Sequence, residues 1–500
     1  MHIIADLQLH SRFSRAVSKA MAFPFIASWA KRKGIGLVAT GDWTHPMWFR
    51  EIERDLEEMG NGLLQLRSEV APLGPDSPSA APTPLFLLAT EISCIYSQGG
   101  RVRRVHTLIW VPTIESARKI SQEMTKRGCN LMSDGRPIVG LTSIHLAELV
   151  FTIEPKALII PAHIWTPWFS VYGSLGGFDS IEDAFGPFAK NIYAVETGLS
   201  SNPAMNWRIK ELDARTILSF SDAHSGPKLG REATVFDIPD GKLGYEVIYD
   251  AIVNASAVVV NENFDDSSVR SRNEAHLSIS TLSLGSEQSQ NFVRSSQLQR
   301  SRIAYTLEFY PEEGKYHYTG HRACGIRYSP EETKKKGTTC PVCGKALTVG
   351  VMERVEFLAA RSEAELKLSD VSHQLSDIDK GVKMIGSEKY PKRPPFVMLV
   401  PLQEIIAQCI GSPVASVKVQ PPYTKLIEAI GDEFSVLLKA PLSDIQSIVG
   451  ERIAAGIHKV RTGDILIDPG YDGVFGVVKL WKEGEKLPLV DSSKEQLSMF

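Results

Sequence analysis

Through the first 264 residues, short β-rich apolar runs alternate with amphipathic ones, and nearly every apolar run ends in or beside a histidine or a carboxylate. The β-rich runs are HIIADLQLH, GIGLVATGD, PLFLLATEIS, RRVHTLIWV, KALIIPAHI, NIYAVET and RTILSFSDAH. Runs of helical character such as FIASWAKRKG, IESARKISQEMTKRG and AMNWRIKELDA separate them. This alternation predicts an α/β fold built on a parallel sheet or barrel. In a strand, residues two apart face the same way, so Asp6, Gln8 and His10 share one face. Asp42, His45, Glu91, His106, His163, Glu196, Asp222 and His224 recur at or near the ends of the later runs. In an α/β barrel such ends converge on one face. A lone strand histidine is ordinarily a satisfied core residue, but five at successive strand ends point to a metal centre. Imidazole and carboxylate together suit two or more zinc or manganese-like ions. Glu196 is the weakest member, since Glu-Thr-Gly before SSNP also suits a turn cap or a substrate contact.

Beyond residue 264 the character changes. Residues 265–302 are rich in Ser, Gln, Asn and Arg and read as a linker, as does the Pro/Ser/Ala-rich stretch 63–84 as a surface loop. Residues 303–350 hold His321-x-x-Cys324 and Cys340-x-x-Cys343, the two-knuckle spacing of a closed, structural zinc site. His317 competes with His321 for the fourth position. Cys94, Cys129 and Cys409 have no such partners and read as packing residues. Residues 351–485 are predicted to form a mainly helical domain, and 486–500 a flexible tail.

Lys+Arg number 55 against 58 Asp+Glu, a net charge of −3, so any contact with nucleic acid must be local. Arg12, Arg15 and Lys19 follow the first ligand-like group directly and are the leading candidates for DNA contact. Arg101, Arg103 and Arg104, and Lys334, Lys335 and Lys336, form further basic clusters, the lysines serving equally as a solvated face. Trp43, Trp48, Trp165 and Trp168 near strand ends suit either base stacking or the core. No apolar run approaches the roughly 18 residues of a membrane span, and the N-terminus lacks the pattern of a secretory signal. These features, with few cysteines, predict a cytoplasmic protein with no membrane partner.

In these same residues the chain resembles the polymerase-and-histidinol-phosphatase (PHP) phosphoesterases: DLQLHS, GDWTH, Glu91, His106, His163 and SDAH follow in that family's order. The resemblance implies a distorted α/β barrel holding two or three metals that activate water for phosphoester hydrolysis. Its first motif usually reads His-x-His, where this chain has Gln8-x-His10, which implies a looser metal site there. HSRFSRAVSK, PAHIWTPWFS, ETGLSSNPAMN and LEFYPEEGKYHYTGHRACG followed by CPVCG are similar to the endonuclease Q family of DNA repair enzymes. That resemblance implies cleavage 5′ of deaminated bases (uracil, hypoxanthine, xanthine) and of abasic sites, with Asp222, His224 and Glu91 catalytic. It also implies catalytic zinc, with magnesium or manganese as alternatives for activity, and a nucleoid-associated location. Ser200, Ser201 and Asn202 are candidates for the base pocket by their place after a strand. Gln496, Leu497, Met499 and Phe500 resemble the terminal peptide with which repair proteins dock on the sliding clamp. A small-molecule phosphatase and a non-catalytic lesion-binding protein are the competing expectations.

Overall fold

The computed structural model describes residues 1–70, 82–263, 301–374, 378–379, 381–482 and 484–485. Strand β1 (His2–Asp6) pairs in parallel with β2 (Leu37–Ala39), and β2 in parallel with β3 (Leu85–Gln98). β3 turns back through Gly99 and Gly100, both at positive φ, into β4 (Arg101–Val111), giving a long antiparallel hairpin. Such a two-residue turn needs left-handed backbone, which glycine adopts without a Cβ clash. β4 pairs antiparallel with β5 (Leu158–Pro161). A parallel pair, β6 (Ala194–Glu196) with β7 (Thr216–Leu218), follows, linked to the end of β5 by Ile164 N–H donating to Glu196 O at 3.1 Å. A parallel bridge between Leu9 and Ala223 closes the ring beyond the end of β1. The result is a distorted barrel rather than an all-parallel one.

The barrel is filled by large apolar side chains. Trp43, Trp48, Trp110 and Trp165 are completely buried, with Phe23 stacked on Trp48 at 4.2 Å between ring centroids. Of the tryptophans considered for base stacking, Trp43, Trp48 and Trp165 therefore belong to the core.

The sheet does not stop with the barrel, and here the expected boundaries need correction. β8 (Ala233–Asp237) pairs antiparallel with β1, β9 (Arg302–Glu308) antiparallel with β8, and β10 (Phe396–Met398) in parallel with β9. Residues 302–308 thus belong to the barrel's sheet instead of opening the zinc module. The region after 351 also adds strands Leu368–Asp370, Ile385–Ser387 and Phe396–Met398 to it. Residues 63–84 are not loop throughout: Leu64–Leu66 forms a strand against Leu56–Glu58. A helical region does follow, with helices Leu402–Ile410, Gln420–Ile430, Glu433–Leu438, Leu442–Val449 and Glu451–Thr462. It docks on the barrel through a buried ion pair of 2.8 Å between Lys33 and Glu433. Lys33 closes helix Phe23–Lys33, which ends at left-handed Gly34, where a Cβ would strike the Asp432 side chain. Most of the linker (264–300), part of the Pro/Ser/Ala-rich stretch (71–81) and the tail with Gln496, Leu497, Met499 and Phe500 lie outside the described residues. Among the described residues, no helix is long and apolar enough to cross a membrane.

Candidate metal centre and the adjoining cleft

Two groups of ligand-type side chains meet inside the barrel mouth. Glu91, His106 and His163 form one, and His10, Asp222 and His224 the other; within each, ligand atoms lie within 4.8 Å of one another. Glu91 joins the two. Its Oε1 is 2.6 Å from His106 Nδ1 and 3.4 Å from His163 Nε2, and its Oε2 is 3.2 Å from His10 Nε2. Asp222 Oδ1 lies 3.2 Å from the same His10 nitrogen. His163 and Asp222, like Asp42 behind them, are held at positive φ just past strand ends. Left-handed backbone in non-glycine residues costs of order 1–3 kcal/mol each and clusters where function constrains the chain.

The electrostatics fit a cation-binding centre. Burial pushes the His106 imidazole down to about 4 against the pull of Glu91, so it is neutral at pH 7 with a lone pair to give. Burial would raise the Asp222 carboxyl, but the bond to His10 outweighs it and holds it at about 2. Glu91 is likewise held well below the usual carboxylate range, burial being overcome by Arg136 and His106.

The remaining predicted residues stand around these groups in supporting places. Asp42 approaches His10 from behind, its Oδ1 2.9 Å from Nδ1, while its Oδ2 accepts bonds from Ser11 N–H, Ser11 Oγ and Ser14 Oγ. Asp6 does not face the groups: its carboxylate accepts from Ser221 N–H, Ser221 Oγ and Gly230 N–H, and burial lifts its pKa to about 6. His45 is also turned away. It caps helix Pro46–Asp55, its ring nitrogen accepting from Trp48 N–H, and stacks on Phe13. Glu196 accepts the backbone N–H groups of His163 and Gly198, and burial raises it to about 8. Gln8 donates from Nε2 to Glu91 Oε2 at 2.9 Å, leaving its buried Oε1 without a partner.

Arg136, which sequence reasoning missed, enters the centre directly: its Nη1 is 3.3 Å from Glu91 Oε1 and 3.4 Å from His10 Nε2. SDGRPIV shows only a turn signal, so nothing in the local pattern marks that arginine. Ser93 was missed as well. It sits opposite His106 across the hairpin with its Oγ 3.1 Å from Nε2, a partner of the kind that fixes a ligand imidazole's orientation.

A cleft of about 410 Å³ opens from this centre, with His106, His163 and Asp222 on its floor. Trp168, Phe169, Tyr316 and Phe475 supply an aromatic wall, and Ser200 lines it with a buried, unpartnered hydroxyl. Ser201 and Asn202 do not reach the cleft with free groups. The Ser201 hydroxyl donates to Thr197 O, and Asn202 caps helix Pro203–Trp207. Arg12 is tied to Glu51 and Arg15 to Asp134, while the Lys19 ammonium donates to Arg12 O.

Away from the cleft, His321, Cys324, Cys340 and Cys343 gather within the same 4.8 Å limit. Their mutual spacing suits one tetrahedral ion, in which bonds of about 2.0–2.3 Å put ligand atoms under about 4 Å apart. The two histidines are separated by the fold: His317 Nδ1 is buried elsewhere without a partner and that residue lines the cleft.

Two solved structures share this architecture along almost all of the chain. The lesion-specific endonuclease Q of Pyrococcus furiosus is 28% identical with a TM-score of 0.71, covering 96% of this chain and 95% of its own. A second, of an endonuclease Q in complex with a 27-mer duplex bearing an abasic lesion at the active site, is 28% identical with a TM-score of 0.72, covering 98% and 100%. The chain has the endonuclease Q fold. Its helical region also matches the family model described as the MJ0043 C-terminal domain over residues 401–464. The uncharacterized protein MJ0043 of Methanocaldococcus jannaschii is 30% identical over 317 residues, 63% of this chain but only 31% of that much longer relative. The endonuclease Q likeness spans the barrel, the cysteine cluster and the helices together.

Proposed function

We propose that this chain is a metal-dependent endonuclease that cuts DNA 5′ of damaged nucleotides, both deaminated bases (uracil, hypoxanthine, xanthine) and abasic sites. The observation that carries this reading is the aromatic cleft opening on a cluster of histidines and carboxylates. A base turned out of the helix needs an apolar, stacking enclosure beside the reacting phosphate.

Glu91, His106 and His163 would hold one ion and His10, Asp222 and His224 another, with Glu91 between them. The fit rests on chemistry visible at the site: the neutral buried imidazole of His106, the ionised carboxylates of Glu91 and Asp222, and the buried Gln8 Oε1 that lacks a hydrogen-bond donor. Divalent ions so held lower the pKa of water and neutralise charge on attacking and leaving oxygens. The chain's own part is positional. Asp42 fixes His10, Ser93 fixes His106, and Glu196 fixes the backbone of His163. Trp168, Phe169, Tyr316 and Phe475 would exclude water and stack on the extruded base, with the Ser200 hydroxyl available to its polar edge. Zinc in the cysteine cluster would be structural, and zinc, manganese or magnesium would serve the barrel. Arg12, Arg15 and Lys19 would meet the phosphate backbone, and Gln496, Leu497, Met499 and Phe500 would tether the enzyme to a sliding clamp.

The test compares substrates under matched metal. Protein stripped of metal and reloaded with zinc, manganese or magnesium is given duplexes containing uracil, hypoxanthine or an abasic site, an undamaged duplex, and an aryl phosphate. Metal-dependent nicking confined to damaged duplexes supports the reading. Turnover of the aryl phosphate alone, or specific binding without any nick, overturns it.

A further inference from the structure

The loop Asp134–Pro137 is built to carry one cation into the centre. Arg136 N–H donates to Asp134 Oδ1, and Gly135 N–H donates to Phe13 O at 3.2 Å. Gly135 is needed there because a Cβ would strike the Ser14 hydroxyl and the Asp42 carboxylate, the pair that supports His10. Just beyond, Ile138–Val139 adds in parallel to Ser93–Cys94 of the hairpin that carries Glu91 and His106. The loop is thereby pinned at both ends to the elements that position the candidate ligands. What it delivers is the Arg136 guanidinium, its side chain 27% exposed, between Glu91 and His10 at the mouth.

An arginine that merely balanced Glu91 would have no need to stay open to solvent. A guanidinium has five donors in a planar fork, and the contacts with Glu91 and His10 engage only Nη1. Nε and Nη2 take no part in either contact, and the side chain is part open to solvent. Resting on the endonuclease reading above, we propose that Arg136 is a substrate-contacting residue that holds a non-bridging oxygen of the scissile phosphate and stabilises the charge that grows there as the bond breaks. Its donors, fixed by the loop, would meet the phosphate with little reorganisation, and removal of one such donor in other enzymes costs on the order of 10²–10³ in rate.

Arg136→Met and Arg136→Lys are compared with wild-type protein at saturating metal, after metal content and melting temperature are checked. Single-turnover nicking of an abasic duplex should fall on the order of 10²–10³-fold in Arg136→Met. Arg136→Lys, which keeps charge but loses the fork, should recover part of it. Metal content should be unchanged, and affinity of the metal-loaded protein for inorganic phosphate should fall in parallel. Nicking within about threefold of wild type, unchanged phosphate affinity, or activity restored to Arg136→Met by added metal would each overturn the proposal. Should wild-type protein fail to nick damaged DNA, the endonuclease reading falls, and the phosphate titration alone still decides the role of Arg136.

Discussion

His10 Nδ1 stands 2.9 Å from Asp42 Oδ1, and the same imidazole presents its Nε2 within 3.2 Å of both Glu91 and Asp222. The ring is therefore aimed from behind by a carboxylate that two serines and left-handed backbone hold in place. Replacing Asp42 with Asn keeps the size and removes the charge. Loss of such a supporting partner typically costs 10–100-fold in metal affinity. The expected outcome is a metal titration of Asp42→Asn shifted by about that factor with the melting temperature of the metal-free protein little changed. An unshifted titration would show that Asp42 does not support a ligand.

The cysteine cluster ties short segments that have little core of their own, since only Tyr328, Cys340 and Leu347 form its buried centre. Below about 40 residues, a module usually depends on a metal or disulfides for its fold. Cys340→Ser should reduce the zinc content by one ion per chain and expose residues 319–347 to proteolysis. The barrel's ions should remain. Retained zinc in the variant would contradict the assignment.

Burial pushes the Glu308 carboxyl up from 4.5 to about 8, even though Ser219 and Thr306 hydroxyls donate to it. Between those values the folded chain holds a proton that the unfolded chain has released, so stability falls as pH rises through that window. Glu308→Gln keeps a neutral group and removes the titration. Melting temperatures taken at about pH 5 and about pH 8.5 should fall less with pH in Glu308→Gln than in wild type. An equal drop in both would place the titration elsewhere.

Lys33 and Glu433 are both almost wholly buried, and Glu433 also accepts bonds from Leu402 N–H and Tyr423 OH. Removing one partner of such a pair leaves an uncompensated buried charge and costs about 3–5 kcal/mol. Lys33→Met should destabilise the chain by that amount in denaturant unfolding, and Lys33→Met with Glu433→Gln should recover part of it. A loss below about 1 kcal/mol for Lys33→Met would mean that water reaches the pair.

Much of the centre was legible because strand ends announce themselves: an apolar run followed by His, Asp or Glu gives both the element and the direction of its last side chains. The same rule misplaced His45 and Asp6. Both follow the pattern, yet one caps a helix and the other bonds backbone N–H groups of a neighbouring loop. Periodicity does not reveal which hydrogen bonds a polar side chain will find across the fold. Arg136 escaped notice for a related reason, since its loop is brought to the site by pairing with residues about 45 positions earlier. The early domain boundary failed at Arg302–Glu308, where a strand that looks local in sequence lies inside a distant sheet, paired on both sides.

The most direct test of the account is the rate at which Asp222→Asn nicks a metal-saturated duplex bearing a single abasic site. The Asp222 carboxylate lies between His10 and His224 and is ionised. Wild-type protein should cut the strand once, on the 5′ side of the lesion. Asp222→Asn should bind the same duplex and cut on the order of 10³-fold more slowly or not at all, the size of loss expected when a centre loses a charged ligand. A variant that nicks as fast as wild type would contradict the assignment of this centre as the site of cleavage.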